Sequence, residues 1–240
     1  MKNDAQTGQK RWLIIRIVEN AGRRLWRVLT GSGKADDTLP ARFLQSYERD
    51  RLVVFDTETT GLDRRRDDIV QIAALEILDG EPGREFEVYL DTDRDLSATE
   101  PIHHISKAYL ADHATDREEA LRGFLDFVGE SPLVAHNLDY DWEILHHNLA
   151  RAGLSNPLRK ERAFDSIALA RRLYPHCASY RLESLLETLG VEGVNSHNAL
   201  DDVRATANLL RHLSIRIRED PSLSERIPSG GKNNERSLQE

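Results

Sequence analysis

The segment Val53-Val54-Phe55-Asp56-Thr57-Glu58-Thr59-Thr60-Gly61-Leu62 begins apolar and β-branched and turns acidic at its end. Residues 52–55 favour a short buried strand. In a strand, residues i and i+2 share a face, so Asp56 and Glu58 project side by side from the strand end. Two carboxylates this close repel each other unless a proton or a cation lies between them. Hard oxygen ligands of this kind suit Mg²⁺ or Mn²⁺. The plain alternative for the same two acids is a solvated turn before Gly61.

Outward from this segment, residues 69–78 form a longer apolar run and residues 85–90 a third. Three nearby strands with short connections predict an antiparallel start. Residues 115–128 have helical periodicity, with Thr115 and Glu118 in capping-box positions. Residues 133–135 read as a further strand. Helices are expected over 141–151, 165–173, 182–189 and 199–217, the last with Leu200, Val203, Ala207 and Leu210 on one face. Strands followed by alternating helices and strands predict an α/β fold, a mixed β-sheet flanked by helices.

The two ends differ in character. Residues 10–29 read as a basic amphipathic helix: Arg16, Glu19, Asn20, Arg23 and Arg27 share one face, and Ile14, Val18, Ala21, Leu25 and Val28 the other. Residues 31–37 have linker composition. Residues 219–240, with Pro221, Pro228, Gly230 and Gly231, read as a disordered tail. The expected division is therefore an extension over 1–48, a domain over 49–218 and a tail over 219–240.

Charge alone does not select a partner. The chain carries 33 Lys and Arg against 41 Asp and Glu, a net charge of −8. Non-specific nucleic-acid binders usually have the opposite sign. Acids that form a metal cage reverse the local field once cations bind, so the placement of the carboxylates matters more than their sum. The single cysteine, Cys177, excludes an intramolecular disulfide framework and a Cys-rich zinc site. No apolar run approaches the ~18–20 residues of a membrane span, and no signal peptide follows Met1. A cytoplasmic setting is the expectation.

Two distant segments supply further acids. The strand at 133–135 runs into Leu138-Asp139-Tyr140-Asp141, where either acid suits a helix cap or first turn. Ser196-His197-Asn198-Ala199-Leu200-Asp201-Asp202 opens the long C-terminal helix. Asp202 lies near the edge of its apolar face, and Asp201 points away. Taken alone, His197 reads as a surface histidine at a helix start.

Together these segments resemble a known family. Asp56-Thr57-Glu58, then Asn137 with Asp141 four residues on, then His197 with Asp202 five residues on, follow the order and spacing of the DEDDh 3′–5′ exonucleases. The resemblance spans roughly residues 49–217 and is greatest to the DNA polymerase III epsilon type. It implies a ribonuclease H-like fold, here with an N-terminal helical extension. It selects Asp141 over Asp139 and Asp202 over Asp201. It implies that Asp56, Glu58, Asp141 and Asp202 hold two Mg²⁺ or Mn²⁺ ions roughly 3.5–4 Å apart, with His197 as general base. It further implies substrate contacts at Thr59, Leu62, His103, Asn137 and Tyr140. His104 departs from the glycine often found at its position in the family.

The implied reaction removes nucleoside 5′-monophosphates from single-stranded or frayed 3′ ends of DNA, in proofreading or repair. RNA is the alternative substrate, as for RNase T and oligoribonuclease. A non-catalytic nuclease-fold binding module is a further alternative, which loss of a metal acid would signal. All four acids and the histidine are present. A haloacid-dehalogenase reading fails because its second aspartate is replaced by Glu58. A polymerase or other protein is the implied partner. The basic segment at 10–29 suits a protein, a nucleic acid or an anionic membrane surface.

Overall fold

In the computed structural model, which describes residues 38–224, the run Arg51–Thr59 is strand β1. It is followed by β2 (Ile69–Leu78) and β3 (Glu81–Leu90), which starts earlier than the apolar pattern predicts. The three form an antiparallel meander. A six-stranded mixed sheet is completed by β4 (Ala114–Thr115), β5 (Leu133–Ala135) and β6 (Phe164–Asp165), in the order β4-β3-β2-β1-β5-β6. β5 runs parallel to β1, and β6 parallel to β5. β1 therefore lies inside the sheet, and its apolar residues are buried on both faces.

The period-two alternation of β1 sorts its side chains into two layers. Leu52 and Val54 join Ala73, Leu75 and Ile77 of β2 in a core with α1 (Leu39–Arg49), α6 (Ser166–Leu173), α7 (Leu182–Leu189) and α8 (Ala199–Arg218). Val53 and Phe55 join Ile72 and Ala74 on the other face, beneath α4 (Arg117–Val128) and α5 (Leu138–Arg151). Two short helices, α2 (Glu100–His103) and α3 (Lys107–His113), connect β3 to β4. The sheet with helices on both faces is the ribonuclease H-like α/β architecture expected from the sequence.

Several local expectations need correction. The boundary at residue 48 cuts through the core, because α1 buries Phe43, Leu44 and Tyr47 against the sheet. Its apolar residues recur at helical spacing, and Pro40 lies in its first turn, where proline is well suited. The tail does not begin as disorder at 219. A short helix, α9 (Pro221–Ser224), follows α8, and Leu223 packs on the core. Helix α4 is capped by Asp116, not Thr115: its carboxylate accepts from the Glu118 and Glu119 N–H groups. Helix α5 starts at Leu138, three residues before the expected 141. The basic segment at 10–29 and residues 225–240 lie outside the described residues. Among the described residues, no helix is long and apolar enough to cross a membrane.

Candidate active site

The C-terminal end of β1 carries the acids. Asp56 lies opposite the small Ala73, and Glu58 opposite Gln71. The ladder slips between Glu58 and Thr59, a bulge that ends regular pairing at this point. Asp202, in the first turn of α8, completes a group with Asp56 and Glu58 in which one carboxylate oxygen from each lies within 4.8 Å of the others. The backbone N–H of Ser196 donates to Asp202 Oδ1 at 3.0 Å. With its amide nitrogen turned toward Asp202, Asn195 donates to Oδ1 at 3.0 Å and to Oδ2 at 2.7 Å.

Asp141 comes from the opposite layer. It is buried in the first turn of α5, where Thr57 Oγ1 donates to its Oδ1 at 2.7 Å. Thr57 faces that layer because it lies between Asp56 and Glu58 in the strand. The two neighbouring acids are engaged elsewhere. Asp139 is exposed and pairs with Lys160 at 2.7 Å. Asp201 pairs with Arg204 at 3.5 Å and accepts from Ser196 Oγ at 2.9 Å.

Burial raises all four acids, and repulsion within the group adds to it at Asp56 and Glu58. Burial is the main cause that raises Asp56 well above the ordinary carboxylate range, with Asp141, Glu58 and Asp202 adding to it. Glu58 is pushed up to about 8 by burial and by the charges of Asp202 and Asp141. Burial raises Asp141 to about 7 against the opposing Thr57 hydrogen bond, and Asp202 to about 6 against bonds from the Ser196 backbone. A carboxylate group that costs this much to ionise together is suited to a cation. The donors are all oxygens, with no thiol among them, which fits Mg²⁺ or Mn²⁺.

His197 is exposed and has a left-handed backbone (φ 54°), directly before Asn198, the N-cap of α8. Histidine is among the residues that reach this region more readily. Its charge favours ionised Asp202. Thr59 and Tyr140 are brought together: the Tyr140 hydroxyl lies 2.9 Å from Thr59 Oγ1 and 2.9 Å from the Gly61 carbonyl oxygen. Leu62 stands 88% exposed on the β1–β2 loop. That loop is drawn tight by Asp67, which accepts from Thr60 Oγ1 and the Asp63 N–H. A Cβ at Gly61 would meet Asp67 Oδ2 at 2.5 Å and would displace that carboxylate from its bonds to Thr60 and Asp63.

His103 is buried, and burial lowers its pKa. Its Nδ1 accepts from the Ile105 N–H at 3.0 Å, which puts the ring proton on Nε2; that atom is enclosed, and the Thr59 backbone lies near enough to favour the protonated ring. Asn137 is exposed in a left-handed conformation (φ 77°), and its N–H donates to Asp165 Oδ1 at 3.2 Å.

Thr57, Asn195 and Gln71 were not singled out from the sequence. Gln71 did carry a signal, a polar residue inside the apolar run of β2. Thr57 shows its role only once distant segments meet, and Asn195 once the loop before α8 turns it toward Asp202.

Sheet, flanking helices and carboxylate cluster together define a nuclease of ribonuclease H-like fold. The chain belongs to the RNase T exonuclease family, whose model, described as Exonuclease, matches residues 53–210. It is 34% identical over 180 residues to the PolC-type DNA polymerase III of Clostridium perfringens (strain 13 / Type A), an alignment covering 73% of this chain and 12% of that polymerase. This chain thus spans about an eighth of that relative's length. Among solved structures, exonuclease X in complex with 5′ overhanging duplex DNA is 27% identical, with a TM-score of 0.54, covering 71% of this chain and 93% of that one. Exonuclease I from Methylocaldum szegediense is 25% identical, with a TM-score of 0.60, covering 73% of this chain and 42% of that one.

Proposed function

We propose that this chain is a 3′–5′ exonuclease that removes nucleoside 5′-monophosphates from single-stranded or frayed 3′ ends of DNA. The observation that carries the reading is the convergence of Asp56, Glu58 and Asp202 oxygens within 4.8 Å, with Asp141 charging the same site from the opposite layer. DNA is favoured over RNA because the relatives are a DNA polymerase and a DNA-bound exonuclease.

Asp56, Glu58, Asp141 and Asp202 would hold two Mg²⁺ or Mn²⁺ ions. Bound there, the ions supply positive charge that offsets the carboxylates and the phosphate and stabilises the leaving oxygen. His197 takes the proton of the attacking water, a role for which an exposed imidazole beside an acid is suited. Thr59 and Tyr140 border the terminal nucleotide, Leu62 wedges against its base, and Asn137 and the His103 region contact the strand. Water attacks the terminal phosphodiester in line, and the 3′ oxygen of the preceding nucleotide leaves.

The test is degradation of 5′-labelled single-stranded DNA, mismatched-end duplex and RNA with Mg²⁺ or Mn²⁺, by the native chain and by Asp56→Ala. The expected result is a ladder shortening from the 3′ end, fastest on DNA, and no activity in the variant. Release of the label as the first product would overturn the polarity. Equal activity in Asp56→Ala would overturn the metal site.

A further inference from the structure

Gln71 is fully buried in the middle of the sheet, with 0% exposure. It lies opposite Glu58 in β1 and opposite Tyr89 in β3. Directly opposed residues in neighbouring strands place their side chains on one face, so Gln71 shares a face with the metal acids of β1. Its Oε1 accepts from the Ala199 N–H at 3.1 Å. Its Nε2 donates to Glu87 Oε1 at 2.8 Å and to the Tyr89 hydroxyl at 3.1 Å. Tyr89 in turn donates to Glu87 at 3.0 Å.

This arrangement fixes which end of the amide faces which neighbour. An ionised carboxylate only accepts, so Glu87 draws Nε2 and leaves Oε1 for Ala199. Ala199 is the first residue of α8, and the first N–H groups of a helix have no partner within it. Asn198 Oδ1 serves Leu200 and Asp201, and the Asn198 carbonyl serves Asp202. Ala199 N–H is the remaining donor of that turn, and Gln71 takes it. The same turn carries Asp202, and His197 precedes it by one residue.

We propose that Gln71 is a positioning residue for catalysis. Oriented by Glu87, it latches the start of α8 to β2 and so holds His197 and Asp202 in register with Glu58. The proposal rests on the nuclease reading above and names a residue that acts through others. Apolar packing and the exposed Arg204–Glu85 pair, two bonds of 2.7 Å one turn further along, hold α8 to the sheet, and Gln71 is the buried bond at its first residue. A small displacement there separates a general base from its water, and such errors cost rate more than affinity.

The test compares the full chain with Gln71→Met, which keeps the volume and removes the bonds, and with the double variant Gln71→Glu/Glu87→Gln. The double variant keeps an acceptor for Ala199 and restores the second bond with reversed donor. Gln71→Met is expected to lose kcat on DNA by at least about tenfold, with KM within about twofold. In the metal-free protein its Ala199 amide should exchange hydrogen at least about tenfold faster, while the β1–β2 ladder keeps its protection. The double variant should recover the slow exchange at Ala199, which is its readout here, because its new carboxylate opposite Glu58 adds charge to the metal acids and so alters the rate by itself.

Unchanged kcat in Gln71→Met, unaltered exchange at Ala199, or no recovery of slow exchange in the double variant would each overturn the latch. Absence of cleavage by the native chain is seen before any substitution. It would overturn the nuclease reading and the catalytic consequence of Gln71 with it. A native chain that cleaves, with Gln71→Met cleaving equally well, would overturn the latch alone.

Discussion

The two ends of β1 treat charge in opposite ways. At its start, Arg51 uses four of its five guanidinium N–H groups within the chain. Its Nε donates to Glu76, Nη1 donates to the Val128 carbonyl at 2.9 Å and to Ser131 Oγ at 2.7 Å, and Nη2 donates to the Phe127 carbonyl at 2.7 Å. The guanidinium also lies 5.3 Å from the centre of the Phe127 ring. It thereby caps the C-terminus of α4 and ties that helix to the strand. Glu76 is held down to about 2 by hydrogen bonds from Arg84 and Arg51. At the other end, eight residues away, four carboxylates crowd together and are all pushed up. Ions matched by ions within the chain hold a fold together. Like charges gathered at a strand end are matched by something from outside it.

The strongest way to break this contrast is to test the acids against their neighbours. Asp141→Asn and Asp202→Asn are expected to lose nuclease activity by several orders of magnitude. Asp139→Asn and Asp201→Asn, whose carboxylates face Lys160 and Arg204, should retain most of it. Rates on labelled DNA decide. A reversed pattern at either pair would move the unmatched charge to a different residue.

Next in size is His197→Ala, expected to lower kcat by on the order of 10²–10⁴-fold with cation affinity little changed, because the imidazole is not among the clustered oxygen donors. Titration of Mn²⁺ binding beside single-turnover kinetics separates the two. A large loss of cation affinity would make His197 part of the charge-matching group instead.

At the matched end, Arg51→Ala should cost stability and not activity. Removing several charge-assisted hydrogen bonds and leaving Glu76 half-paired is expected to lower unfolding free energy by roughly 2–4 kcal/mol, read by urea denaturation. The rate per folded molecule should stay near native. A variant of native stability and reduced rate would erase the distinction between the two ends.

How much of this was legible in the sequence follows from the range of each interaction. Asp56 and Glu58 were readable because strand geometry alone puts residues i and i+2 on one face. The meander was readable because β1, β2 and β3 are consecutive and apolar. Spacing left Asp141 and Asp139 open, and Asp202 and Asp201 nearly so, since either of each pair fits a first helical turn. Only the resemblance chose between them. Helix α1 was missed because its burial depends on α8 and β2, far along the chain. Thr57 and Gln71 act across 84 and 128 residues of sequence; the polar Gln71 inside an apolar run marks the position but not its partner, and Asn195, seven residues from Asp202, depends on the turn of the loop between them.

The smallest expected effect lies in the pH dependence of stability, where the two ends should pull in opposite directions. Glu76 has a folded value below its ordinary one, so its contribution is present above about pH 4.5 and is lost as pH falls toward about 2. The clustered acids have folded values above their ordinary ones, so the folded protein holds their protons more tightly. Their penalty is absent below about pH 4, grows as pH rises from there, and is complete once pH passes the folded values of about 6 to 8. The metal-free protein should therefore be less stable at pH 8 than at pH 5. Asp141→Asn removes one ionisable member while its side-chain oxygen still accepts from Thr57. In chelator at pH 8 it should melt a few degrees higher than the native chain, on a scale of about 2–4 °C per kcal/mol, and the difference should shrink as pH is lowered and vanish below about pH 4. Mg²⁺ should raise the melting temperature of the native chain more than that of the variant. If Asp141→Asn melts lower at pH 8, the Thr57 bond and the backbone N–H groups compensate the carboxylate after all. The unmatched charge would then reside in Asp56, Glu58 and Asp202 alone.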